Sequence, residues 1–120
     1  MAPVATCQNI TVYLDGAGNA TITSADIDNG SSDNCSIASL TASKTAFTCA
    51  DLGANNVTLT VTDGSSNVDS CVAVVTIVDT IAPITVCQNI NAYLDNSGNV
   101  SIQATDLDGG TTDNCGTITL

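Results

Sequence analysis

Two aspartate clusters carry most of the chemistry this sequence offers: Asp26-Ile27-Asp28 with Asp33 and, 80 residues on, Asp106-Leu107-Asp108 with Asp113. At a strand end the first two aspartates of each cluster share a face, and a short Gly-rich loop brings the third back towards them. Three carboxylates, the Asn34 carbonyl and nearby backbone oxygens would supply the roughly six to eight oxygens that Ca²⁺ takes. The same residue types also cap turns, because Asp and Asn ahead of Gly and Ser bond the amides of their own loops. Asp15 with Asn19 and Asp63 with Asn67 fit either use, and Asp79 stands where one copy gives way to the next. Capping and coordination both stay open at this level.

The remaining chemistry is sulfur chemistry. Six cysteines without a histidine argue for disulfides in an oxidising compartment rather than for zinc. The first copy holds four of them, which allows three pairings. The second copy holds only Cys87 and Cys115. If these pair locally, the set is Cys7–Cys35, Cys49–Cys71 and Cys87–Cys115; the alternative is Cys7–Cys71 with Cys35–Cys49. Catalysis is not expected. With no His or Glu and Lys44 as the one base, the usual nucleophile–base and acid–base sets are missing. A net charge of -11 opposes nucleic-acid binding, which needs Lys and Arg against phosphate. No apolar run reaches the ~18 residues of a membrane helix. Met1-Ala2 opens straight onto the repeated sequence, so no signal peptide is expected within these residues.

The elements that must position these groups read as strands. Gln8 to Leu14 alternates, with Ile10, Val12 and Leu14 on one face, and closes on the turn Asp15-Gly-Ala-Gly-Asn19. Ala20 to Ile27 follows. Ile37 to Thr41, Thr45 to Cys49 and Val57 to Val61 read as strands, with Asp51 to Asn56 as a turn. Asp63-Gly-Ser-Ser-Asn67 makes a hairpin into Val68 to Val78, a segment rich in Val, Ile and Thr. Nothing has helical periodicity. The expected fold class is all-β: an immunoglobulin-like β-sandwich whose core is thin and aliphatic, since Phe47 and two Tyr are the only aromatic residues.

The sequence also repeats. Ala2-Pro3 through Cys7-Gln8-Asn9-Ile10 and Tyr13-Leu14-Asp15 returns as Ala82-Pro83 through Cys87-Gln88-Asn89-Ile90 and Tyr93-Leu94-Asp95. A fixed long period marks a stacked array. Residues 2–81 make one complete repeat and residues 82–120 the first half of another. That half is expected to present about three strands with apolar faces (Ile90, Tyr93, Leu94, Ile102, Leu107), too few residues to seal a core unaided. Its completion is expected from a neighbouring chain or from further sequence.

The order of motifs from Phe47-Thr-Cys49 through Gly53, Val57-Thr-Leu-Thr-Val61-Thr-Asp63-Gly-Ser-Ser-Asn67, Cys71 and Val78-Asp79 to Pro83 resembles the hyalin-repeat family. Ser66 departs from it, since the family usually has Gly there, and a different hairpin shape is expected at that point. The front half, Cys7-Gln8-Asn9 to Asp33-Asn34-Cys35, is similar to tandem repeats of large secreted bacterial surface proteins. The resemblance implies an extracellular or cell-surface location and a role in adhesion or surface fibres, without catalysis. Asp79-Thr80-Ile81 is similar to an O-glycosylation motif of some bacteria, which implies a glycan on Thr80. Two roles compete: a subunit of a fibre or stalk whose partner is itself, joined head to tail, or an adhesin module binding glycan or protein ligands. No cofactor is required by either, Ca²⁺ excepted if the aspartates hold it.

Overall fold

A computed structural model describes all 120 residues. It divides into two units, Met1–Thr80 and Ile81–Leu120.

The first unit is mostly β. Its strands are β1 (Ile10–Tyr13), β2 (Asn19–Thr21), β3 (Ile37–Ala42), β4 (Ala46–Thr48), β5 (Gly53–Asp63) and β6 (Val68–Val78). A four-stranded sheet runs β1-β6-β5-β3, and β2 pairs with β4 in a second sheet. The β5–β6 hairpin is the backbone of the unit, and strict alternation explains it. Val57, Leu59 and Val61 on β5 and Ala73, Val75 and Ile77 on β6 are buried, while Thr58, Thr60, Thr62, Val74 and Thr76 lie on the less buried face. Ala20 of β2 pairs with Phe47 of β4, and both are buried. Leu14, Ile22 and Ile27 complete the core.

β1 pairs with β6 in parallel, Ile10 opposite Val75 and Val12 opposite Ile77. Asn9 starts that ladder, its side-chain oxygen accepting from the Val74 amide at 2.8 Å. Because β6 runs alongside the segment that feeds β1, Cys71 meets Cys7 and the two form a disulfide. This corrects two expected pairings, Cys7–Cys35 and Cys49–Cys71. Cys35 lies at the far side of the Asp28–Asp33 loop and is an exposed free thiol, which also removes the Cys35–Cys49 alternative. Cys87 is free and exposed as well, so Cys87–Cys115 is not formed. The local pairing in the half repeat was the wrong guide: the mate that Cys7 takes belongs to a strand that residues 81–120 do not contain.

Three further differences from the sequence reading have local causes. The segment after β2 is not one strand to Ile27 but a single helical turn, α1 (Ser24–Ile27), because Asp26 accepts from the Thr23 amide at 2.7 Å and reverses the chain. The expected turn at Asp51 to Asn56 is shorter, since Gly53 at φ 98° already opens β5. Ser66 keeps the shape that Gly would give. It sits at φ 67°, matching Gly18 at 75° and Gly98 at 78° in the equivalent turns. A left-handed serine costs backbone energy that glycine avoids. Ser66→Gly should therefore stabilise the first unit by about 0.5 kcal/mol after the entropy glycine adds to the unfolded chain. A rise in Tm by thermal denaturation checks this; an unchanged or lower Tm contradicts it.

The second unit reproduces the local bonds of the first and none of its strands. Gln88 donates from its amide to Leu107 O at 2.9 Å, as Gln8 does to Ile27 O, and the Val4–Ser32 bridge recurs as Ile84–Thr112. A second helical turn, α2 (Ala104–Leu107), matches α1. The roughly three strands expected here are absent: residues 90–93 and 99–101, counterparts of β1 and β2, form no ladder. In the first unit those strands exist only against β6 and β4. Burial follows the same division. Leu14 is 4 % exposed and Leu94 67 %; Ile22 is 6 % and Ile102 50 %; Ile27 is 0 % and Leu107 42 %. Tyr93 does not belong with these inner-face residues, since its counterpart Tyr13 is itself exposed in the complete unit.

Candidate functional site

The aspartates act first on their own backbone. Asp15 Oδ1 accepts from the amides of Ala17 and Asn19, each at 2.9 Å, and Asp95 Oδ1 does the same for Ser97 and Asn99. Asp63 Oδ1 accepts from Ser65 and Asn67 at 2.8 Å, with the Asn67 side chain donating to its second oxygen. Asp26, Asp51 and Asp106 reach back three residues to the amides of Thr23, Thr48 and Gln103. Asp28 accepts from Ser31, Asp108 from Gly110 and Thr111, Asp33 from Cys35 and Ser36, and Asp113 from Cys115. Asp69 reaches furthest, accepting from the Ala5 amide at 2.8 Å and tying the N-terminal segment to β6. The short spans suit Asp at the turn positions: one methylene fits an amide two to four residues away, where Glu would overshoot.

Neither Asp26, Asp28 and Asp33 nor Asp106, Asp108 and Asp113 form a group whose carboxylate oxygens all lie within 4.8 Å of one another. The geometry is that of caps on successive turns, not of one oxygen cage. Gly30 at φ 79° and Gly110 at φ 112° set the loop between the second and third aspartates of each cluster.

Five of these carboxyls are held below the ordinary aspartate range. The Ser31 side chain does so for Asp28, Lys44 for Asp51, the Asn67 side chain for Asp63, the Ala5 amide for Asp69 and the Thr111 side chain for Asp108. Groups lowered in the fold stabilise it fully above their unfolded value of 3.8, and that contribution fades as pH falls through the lower folded value. The molecule should therefore lose stability in acid below about pH 4. Relief of repulsion within a net charge of -11 works in the opposite direction, so the decisive comparison is with a variant. Asp69→Asn keeps an acceptor for Ala5 but no charge. Its Tm should fall less steeply than the parent's between pH 4 and 2, each expressed relative to its own value at pH 6; parallel curves would exclude the mechanism.

Thr80, the expected glycan position, is exposed directly after β6. The Cys7–Cys71 disulfide suits an oxidising environment. No helix is long and apolar enough to cross a membrane. Sequence reading missed the Asp69–Ala5 bond, which spans more than half the chain, and held the Cys7–Cys71 pair only as the alternative; the parallel β1–β6 pairing selects it.

The second candidate site is the uncovered face of the second unit. Gln88, Ile90, Ala92, Val100 and Ile102 line an open groove of about 460 Å³. The Cys87 thiol is exposed nearby in sequence, one residue before Gln88. Comparison of the chain with family models, with curated proteins and with solved structures found no match.

Proposed function

We propose that this chain is a structural segment of an extracellular fibre or surface stalk, an array of disulfide-pinned immunoglobulin-like β-sandwich repeats joined head to tail. One observation carries the reading: residues that are sealed in the first unit lie open in the second, although the sequence around them repeats. An apolar face of that kind is stable only when more polypeptide of the same pattern covers it, supplied by the next segment of an array or by a neighbouring copy. Such contacts join unlike surfaces, and where the rotation between copies does not close a ring they propagate along a line. The turn sequences support structure over recognition, because both copies spend their aspartates on the same backbone amides. These loops are capped from within, and chelation should leave assemblies unchanged.

Negative-stain microscopy and light scattering of the purified chain under oxidising conditions test the reading. Linear assemblies with a repeat-sized spacing are expected. A monodisperse compact monomer at high concentration would remove it.

A further inference from the structure

We propose that the second unit is an acceptor for one kind of partner, a β-hairpin with the pattern of β5–β6, and that Cys87 locks it by a disulfide. The inference deepens the fibre reading and rests on it only in taking the first unit as the template.

The occupant is defined by an interface already present in this chain. In the first unit β6 lies parallel to β1 with Val75 opposite Ile10, its Val74 amide on Asn9 and its Cys71 bonded to Cys7. Three acceptor positions recur, Ile90 for Ile10, Asn89 for Asn9 and Cys87 for Cys7, while Ala92 replaces Val12. Three things are left over in the second unit; in the first, β6 supplies the ladder and the sulfur, and the matching apolar face is buried. Residues 90–93 have no ladder, the face with Ile90, Leu94, Ile102 and Leu107 is exposed, and Cys87 is a free thiol. The partner must therefore alternate Val, Ile or Ala inward with Thr or Val outward. It must carry a cysteine four residues before the residue that sits opposite Ile90, as Cys71 precedes Val75.

The bond forms by thiol–disulfide exchange. The Cys87 thiol loses its proton and attacks the incoming cysteine where that residue is held as a mixed disulfide with glutathione. The new protein–partner S–S bond forms, the old S–S bond breaks, and glutathione leaves as a thiolate that takes up a proton. Glutathione disulfide, the source of that mixed disulfide, is the oxidant, and each bond closed reduces one such disulfide to two thiols.

The test uses the full chain and a synthetic peptide of Gly53–Val78 whose Cys71 carries glutathione. Peptide mapping follows adducts at Cys87 and at Cys35, the second exposed thiol, with a scrambled peptide of the same composition and glutathione disulfide alone as references. Cys87 should react at least about tenfold faster with the true peptide than with the scrambled one, because docking raises the local concentration of the two sulfurs. Cys35 should not distinguish them. Leu94→Asp should erase the preference while leaving reaction with glutathione disulfide unchanged. Equal rates for the two peptides at Cys87, or a preference that survives Leu94→Asp, would overturn the proposal. Linear assemblies without Cys87 selectivity would remove this inference and leave the fibre reading; selectivity without assemblies would do the reverse.

Discussion

Serine in place of Cys71 should destabilise the first unit by about 4 kcal/mol, the loss expected when a cross-link closing so long a loop is removed. The bond joins residues 64 apart in sequence, from the segment before β1 to the middle of β6. Without it the unfolded chain regains the freedom of almost the whole repeat, while the native contacts of β6 remain. Calorimetry of the parent and Cys71→Ser under non-reducing conditions measures the difference. A second arm separates pairing from packing: Cys7→Ser should lower the Tm by about as much as Cys71→Ser, and reductant should lower the parent's Tm by more than it lowers either variant's. If reductant leaves the parent's Tm where it was, the Cys7–Cys71 bond does not hold this fold.

The second large effect is a contrast between matching positions. Leu14→Ala should cost about 2–5 kcal/mol, as buried leucines do when truncated to alanine. Leu94→Ala should change the stability of the isolated chain by less than about 0.5 kcal/mol, the range of surface substitutions. The two leucines sit in the same motif, Tyr-Leu-Asp, and differ only in what covers them. Chemical denaturation of both variants is sufficient. Comparable losses would mean that the second unit is already sealed.

Much of the first unit is legible because alternation and turn chemistry are local. Val68–Val78 is bounded by the Asp63–Asn67 turn and Asp79, and its Val/Ile/Thr run admits nothing but a strand. The thin aliphatic core is legible too, because aromatic residues are so few; that Phe47 is buried in it is set by its pairing with Ala20. Asp26 shows where local reading fails. It looks like one of a pair on a strand, yet its oxygen reaches Thr23 and makes a helical turn, so Asp26 and Asp28 leave a common face. The calcium expectation meets the same limit, since spacing says which carboxylates are neighbours in sequence but not which amides they have already taken. Disulfide pairing depends on which strands lie side by side. Spacing alone left Cys7–Cys71 as the second of two pairings; the parallel β1–β6 ladder is what brings those two cysteines together.

The position of that cross-link also sets how the first unit would respond if it were pulled. Tension entering near its N-terminus meets Cys7 and passes through sulfur directly to β6, leaving towards Asp79. The stretch from Cys7 to Cys71, 64 residues of sequence, is bypassed. At full extension such a stretch would release about 200 Å of slack. While the bond is intact that length cannot pay out, and the unit behaves as a short strap; under reducing conditions it becomes a spring.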